Sequence, residues 1–244
     1  MVNKINLSII ICAHKEFDNL LRWESVIRNC SDDRINFIIK DSGLCEDTRG
    51  YFSDKNYKNL HFISGIDNGL YSALNEALYS ASEYYLVAGA DDDVCIRNVG
   101  FILDRISTSD QIILSFVKCD GRIIRCDDNR LKPYSLKNVV SSHSVGTILQ
   151  TNLHERFGVY DETYNILADM KFLIPVLKDH SVSKKYYPVV TGHFSTTGVS
   201  STLGFLRIRE AYRACRDIGH FSHIQWIFMF LRLCALIVKK VLYK

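Results

Sequence analysis

Residues 7–12, Leu-Ser-Ile-Ile-Ile-Cys, make an apolar, isoleucine-rich run that breaks abruptly into a polar turn, Ala13 to Asn19. Such a run suits a strand buried on both faces, and therefore a sheet with helices on each side. Shorter apolar runs at Asn36–Lys40, Leu60–Ser64 and Tyr84–Ala88 repeat the pattern. Helical spacing separates them, first from about Leu20 to Arg28 and again from Leu70 to Ser82. In the second stretch Leu70, Ala73, Leu74, Ala77, Leu78 and Ala81 fall on one face. The alternation predicts βαβ units, right-handed crossovers and a mostly parallel α/β sheet.

Ligands of such sheets bind beyond the carboxyl ends of the strands. Three polar turns are expected there: His14–Glu16, Asp41-Ser42-Gly43 and Asp91-Asp92-Asp93. Three adjacent carboxylates repel one another, and a divalent cation, Mg²⁺ or Mn²⁺, makes them compatible. A cation at a strand end usually serves a phosphate-bearing ligand, most simply a sugar nucleotide. The spacing allows metal binding by Asp91 with Asp92, or by Asp91 with Asp93. No GxxxxGK[ST] and no GxGxxG follow a strand, so side chains and the metal must do the gripping. Ala13, His14, Lys15, Glu16 and Asp41 are placed to hold a base and ribose. Asp41 suits an imide N–H or a sugar hydroxyl, or else simply caps a turn.

Beyond residue 100 the pattern loosens. Ile112–Lys118 and Arg122–Arg125 read as antiparallel strands about a turn at Asp120-Gly121, and Val145–Gln150 and Tyr186–Phe194 as further strands. Ile166–Leu177 reads as a helix that Pro175 kinks or ends. No linker or repeat interrupts residues 1–204, which read as one domain.

The formal charge of +3 conceals an asymmetry. From Phe205 onward eight basic residues stand against Glu210 and Asp217. The near-neutral body argues against a general nucleic-acid binder, so the basic tail, 205–244, needs its own account. Within it, Ile224–Val238 is apolar but interrupted by Arg232, too short and too charged for a spanning helix. With Trp226, Lys239 and Lys240 flanking it, this segment suits a helix lying in a membrane interface; the other reading is a helix packed on the core. The eight cysteines form no CxxC pair and read as reduced thiols of a cytosolic protein. The apolar run at the amino terminus is too short for a signal peptide and reads as the first strand.

SIIICAHKEFDNLLRWESV followed by INFIIKDSG resembles the opening of the family 2 glycosyltransferases. GIDNGLYSALNEAL is similar to their PD-x-G-(I/L)-Y-D-A-(M/L)-N-x-(G/A) segment. It matches at Asp67, Gly69, Tyr71, Ala73 and Asn75, and departs at Asn68 and Ser72. AGADDDV falls where that family carries its metal-binding DxD-type motif. Gly158, Tyr160 and Asp161 match a G-x-(F/Y)-D on the acceptor side. Asp169 then stands where the family has its catalytic base, with Ala168 where glutamate is common. TGHFSTTGVSS resembles a stretch that closes over the donor, Thr197 replacing a glycine. The resemblance spans about residues 5–200.

It implies a GT-A fold and an inverting, metal-dependent transfer of a sugar from a nucleoside-diphosphate sugar, with uridine donors favoured. Asp67, Gly69, Asn75 and Asp91 would bind the donor, and Asp91, Asp92 or Asp93 the metal. Asp169 would be the base, although an aspartate near a helix start more often caps it. His143 would contact acceptor or phosphate, unless it is a structural histidine. A polyprenyl-diphosphate-linked glycan, as in bacterial capsule, exopolysaccharide or O-antigen synthesis, is the expected acceptor. An enzyme peripheral on the cytoplasmic face of the inner membrane would reach it. The alternatives are a non-catalytic sugar-nucleotide binder on the same fold, or a nucleotidyltransferase. The latter expects a glycine-rich first turn, and Ala13–Asn19 has no glycine.

Overall fold

A computed structural model describes residues 5–125, 144–195, 204–219 and 222–242. At its centre lies β1 (Leu7–Ala13), flanked in parallel by β2 (Ile35–Asp41) and β4 (Tyr84–Gly89); β3 (Leu60–Ser64) extends the parallel set beyond β2. Ile9, Ile10 and Ile11 are fully buried, as expected for a strand covered on both faces. Each such side chain contributes about 1.5–3 kcal/mol relative to exposure.

The other edge is mixed. β8 (Thr147–Gln150) runs antiparallel to β4 and to β6 (Ile112–Cys119), and β6 pairs in parallel with β9 (Lys184–Phe194). The two-residue β5 (Asp93–Val94) closes against β9, and β7 (Arg122–Arg125) forms a hairpin with β6. Among the described residues the order is β3-β2-β1-β4-β8-β6-β9-β5.

The helices are α1 (Phe17–Asn29), α2 (Glu46–Ser53), α3 (Leu70–Leu78), α4 (Ile96–Leu103), α5 (Leu153–Phe157), α6 (Ala168–Lys178), α7 (Gly204–Asp217) and α8 (Ser222–Leu242). The sequence reading contains no counterpart of α2, α4, α5 or β5. All four are short, and α2 is rich in polar residues, so they lack a long periodic signal.

Several boundaries differ from expectation, three of them at α3, β8 and α6. Helix α3 stops at Leu78 instead of Ser82, because the chain tightens into i→i−3 bonds at Tyr79, Ser80 and Ala81. The Ser82 N–H then donates to Ser8 Oγ at 2.7 Å and turns the chain into β4. The expected strand at Val145 begins only at Thr147, after a 3₁₀ turn at Ser144–Gly146. There the carbonyls of Val145 and Gly146 accept the hydroxyls of Thr191 and Ser115. Helix α6 begins at Ala168 rather than Ile166 and runs three residues past Pro175, so the proline does not end it at once.

Of the basic tail, α7 packs against α6, with Glu210, Ala211, Ala214 and Cys215 buried. In α8, Trp226, Ile227, Phe230 and Leu231 are exposed at spacings of one and four, forming an apolar ridge. Among the described residues no helix is long and apolar enough to cross a membrane.

Candidate functional site

The carboxyl ends of β1, β2, β3 and β4 lie side by side, because these strands are parallel and adjacent. The turns they deliver are Ala13–Glu16, Asp41–Gly43, Gly65–Gly69 and Ala90–Asp92. They are stitched together by backbone bonds from Ser42 N–H to the Ala13 carbonyl and from Gly65 N–H to the Asp41 carbonyl. His14 and Lys15 are exposed, and Lys15 adopts a left-handed conformation (φ 58°) that is uncommon for a non-glycine residue. A cleft of about 320 Å³ opens here, lined by Lys15, Glu16, Phe17, Asp18, Asn19 and Asp47. A larger cavity of about 870 Å³ lies between α1 and α4, around Cys30, Arg34, Ile96 and Phe101, and none of the expected site residues lines it.

Asp41 is completely buried. Its Oδ2 accepts the Gly43 N–H at 2.9 Å and the Ser64 hydroxyl at 3.1 Å. Its Oδ1 has no partner in the protein, an acceptor left open in a place where unpaired polar atoms are costly. Asp67 behaves differently. Its Oδ1 holds the Gly69 N–H at 3.0 Å, and its Oδ2 lies 3.5 Å from the fully buried ammonium of Lys40. That ammonium also donates to the carbonyls of Gly65 (2.6 Å) and Asp41 (3.0 Å) and pairs with Glu76 at 3.3 Å. Lys40 thus ties β2 to the loop after β3, a role that a lone lysine in a strand does not announce in sequence. Gly69 begins α3 at φ 112°, ψ −179°, a conformation almost restricted to glycine.

The aspartate run splits into different environments. Asp92 is buried and accepts the N–H groups of Gly89 (2.7 Å, on Oδ2) and Ser195 (2.8 Å, on Oδ1). Burial raises its carboxyl to about 6, with the charges of Asp91 and Asp93 adding to the effect and the two N–H bonds opposing it. Each oxygen thus holds one backbone N–H, and Asp92 anchors the turn to the segment after β9. Asp93 is open to solvent, at 3.9 Å from both Arg22 and His193. An added Cβ at Gly89 would come within 2.8 Å of Asp91 Oδ1 and 3.1 Å of Asp92 Oδ2, so a larger residue there would make the Asp91 side chain shift. Trp23 of α1 fixes the same turn by donating from Nε1 to the Ala90 carbonyl at 3.1 Å.

Asn75 lies on α3 and faces the loop before α6. Its amide nitrogen donates to the Tyr160 carbonyl (2.8 Å) and Glu162 Oε1 (3.0 Å), and its Oδ1 accepts the Tyr160 N–H (3.0 Å). A side chain so engaged clamps the 158–162 loop to α3. Asp161 in that loop pairs with Lys171.

Asp169 lies half-buried in the first turn of α6. The Tyr71 hydroxyl, from the first turn of α3, lies 3.0 Å from its Oδ1 and also contacts the Ile166 carbonyl. Burial pushes the Asp169 carboxyl above the usual carboxylate range. The N–H groups of Met170 and of Asp169 itself, together with Tyr71, pull the other way, and the charge of Glu210 adds to the rise. A hydroxyl carries one proton. With Asp169 ionised, Tyr71 can donate to it; with Asp169 protonated, Tyr71 can accept from it and turn its own proton to Ile166. Both states of the carboxyl therefore have a partner. His143 and Thr197 lie outside the described residues.

No family model matches the chain, and no curated protein matches it in sequence. Solved structures do. Residues 1–349 of S. aureus TarS in complex with UDP-GlcNAc superpose with a TM-score of 0.68 at 14% identity, over 94% of this chain and 72% of that one. The mannosyltransferase PcManGT from Pyrobaculum calidifontis, in complex with GDP-Man and Mn²⁺, superposes with a TM-score of 0.64 at 14% identity, over 96% and 75%. At this identity the likeness is one of fold. The chain has the mixed α/β sheet flanked by helices of these GT-A-like proteins.

Proposed function

We propose that this chain is a glycosyltransferase that moves a sugar from a nucleoside-diphosphate sugar to an acceptor hydroxyl with inversion at the anomeric carbon. The observation that carries the reading is the pair of unlike carboxylate groups on one sheet edge. Asp93 stands in solvent beside Asp91, whereas Asp169 is half-buried and raised, held through Tyr71 at the start of α3. Fold likeness to proteins solved with UDP-GlcNAc and GDP-Man supports a sugar-nucleotide donor.

Asp41 offers its open Oδ1 to an imide N–H of the base or a ribose hydroxyl, with Ala13, His14, Lys15 and Glu16 around it. Asp67 and Gly69 shape the donor loop. All-oxygen donors suit a hard cation, and with Asp92 engaged by backbone the pair for Mg²⁺ or Mn²⁺ is Asp91 and Asp93. Such an ion offsets the charge that builds on the leaving phosphate oxygen. Asp169 takes the acceptor proton as the new C–O bond forms and the bond to the diphosphate breaks.

Asp169→Asn should abolish turnover while donor binding persists; a variant that stays active removes Asp169 as base. A thermal-shift screen of sugar nucleotides with Mn²⁺ identifies the donor, uridine donors being favoured. Its signal should vanish in Asp91→Ala/Asp93→Ala and survive a change confined to the far cavity at Phe101.

The acceptor is proposed to be a polyprenyl-diphosphate-linked glycan of a bacterial surface polysaccharide, with the enzyme peripheral on the inner face of the cytoplasmic membrane. The exposed ridge Trp226, Ile227, Phe230 and Leu231 supports this, as do Lys239 and Lys240 further along the basic tail. Unchanged partition to anionic vesicles after deletion of residues 222–244 would remove the tail as anchor.

A further inference from the structure

Helix α7 lies outside the α/β layers, yet one of its faces is fastened to the loop that leads into Asp169. Glu210, Arg213 and Asp217, spaced three and four apart, all reach residues 163–167. Arg213 donates to the carbonyl and hydroxyl of Thr163 (3.1 and 2.7 Å) and lies over the Tyr164 ring at 4.3 Å. Asp217 accepts the Tyr164 hydroxyl at 2.8 Å.

Glu210 is the centre of the attachment and is 3% exposed. Its Oε1 accepts the backbone N–H and the side-chain amide of Asn165 (2.8 and 3.1 Å), and its Oε2 accepts the N–H groups of Ile166 and Leu167 (2.9 and 3.1 Å). Leu167 is the N-cap residue of α6, so this carboxylate holds the three N–H groups that lead into the helix, the last of them at the N-cap itself. Ile166 is held from both sides: its N–H by Glu210, its carbonyl by Tyr71, the residue that also holds Asp169.

We infer that Glu210 is a positioning residue for Asp169, setting the orientation of its helix turn through the N–H groups of residues 165–167. The inference rests on the reading of Asp169 as the base. It makes the C-terminal helices part of the site, since whatever α8 docks on is linked through α7 to the turn that carries Asp169. The titratable groups facing Asp169 are Tyr71 from α3, Tyr85 from β4, Tyr160 from the loop before α6, and Glu210. Of these, Glu210 carries the charge that bears on its proton affinity near neutral pH.

The test uses the full chain without ligand. The side-chain carboxyl carbon of Asp169, assigned by its loss in Asp169→Asn, is titrated by NMR, and amide exchange is followed along the chain. In Glu210→Gln the Asp169 midpoint should fall by about half a pH unit. Exchange at residues 165–170 should rise about tenfold while β1 and β4 stay within about twofold. A general loss of stability would instead raise exchange everywhere and leave the titration in place. An unchanged midpoint with unchanged exchange at 165–170 overturns the inference.

If Glu210→Gln does not fold, Arg213→Gln loosens the same face without touching the buried carboxylate. It should raise exchange at 163–167 and leave the Asp169 midpoint where it was; no local change overturns the inference equally. Turnover that survives Asp169→Asn would sink the base reading alone, because the titration and the exchange do not depend on it.

Discussion

Lys40→Met is the perturbation that most directly tests how the donor edge is held. Methionine keeps most of the lysine's volume, so the change removes an ammonium and little packing. Lost with it are charge-assisted bonds to the carbonyls of Gly65 and Asp41 and the pairing with Asp67 and Glu76. Bonds to charged groups are worth about 1.5–3 kcal/mol net, and an uncompensated buried charge costs about 3–5 kcal/mol. The second figure needs discounting, because the Glu76 side chain is 47% exposed and rehydrates, and because Asp41 O keeps its bond from Gly65 N–H. Relief of the lysine's own desolvation offsets part of the rest, leaving about 2–3 kcal/mol of destabilisation. For a chain of this size that lowers the melting temperature by about 4–12 °C. Urea unfolding at pH 7 reads the first number, calorimetry the second. A double-mutant cycle with Asp67→Asn should give a coupling of at least about 0.5 kcal/mol. A change below about 0.5 kcal/mol in Lys40→Met would mean that burial cost and contacts cancel, and the clamp argument would be wrong.

Three further outcomes follow from the same geometry. Tyr85→Phe removes the hydroxyl that joins His154 Nε2 and the Tyr160 hydroxyl, each at 2.8 Å, and should cost about 1–3 kcal/mol in urea unfolding. Gly69→Ala adds a methyl with open space around it, so any loss is pure backbone strain, about 1–3 kcal/mol, with weaker donor binding alongside. Asp161 sits at about 2, since its ion pair with Lys171 and its bonds from Thr163 outweigh the opposing effect of partial burial. Because this carboxyl is lowered on folding, its stabilisation is full above the unfolded value near 4 and is lost as pH falls towards 2. Lys171→Met should therefore cost about 1–2 kcal/mol at pH 7, after discounting for screening, and the gap to wild type should close towards pH 2.

The parallel half of the fold was legible because β1, β2 and β4 are apolar runs with polar endings, as burial on both faces demands, and β3, a partly exposed edge strand, keeps a shorter run of the same kind. The meeting of the polar turns followed, since parallel strands put their carboxyl ends together. What stayed hidden were polar contacts between distant residues. Nothing about Glu210 in sequence distinguishes it from an exposed acid on a basic helix; only the fold brings it to residues 165–167, 43 to 45 positions away. Lys40 and Asn75 are similar cases, as their partners lie 25 and 85 positions off. One signal was available for Glu210: it is the lone acid in the stretch Arg207–Arg216, among four arginines.

The acids of this edge differ chiefly in how many N–H groups the backbone supplies to them. Glu210 accepts bonds from four N–H groups, three of them backbone, and Asp92 from two backbone N–H groups, one on each oxygen. Such carboxylates are already satisfied and brace the structure. Asp41 and Asp67 each give one oxygen to a neighbouring turn; the second is open in Asp41 and meets a lysine in Asp67. Among the described residues Asp93 faces solvent with cations no nearer than 3.9 Å, while Asp169 takes the Tyr71 hydroxyl and N–H groups of its own helix turn. Metal binding is expected where this supply runs short, because a carboxylate with few fixed donors keeps lone pairs for a cation. On the proposed reading, this ordering favours Asp93 over Asp92 for the cation, a choice the spacing of the run left open. It also makes Asp92→Ala and Asp93→Ala opposite in character: the first should lower stability more than donor binding, the second donor binding more than stability. Thermal unfolding with and without Mn²⁺ and a bound sugar nucleotide separates the two, and the same ranking in both variants would refute the argument.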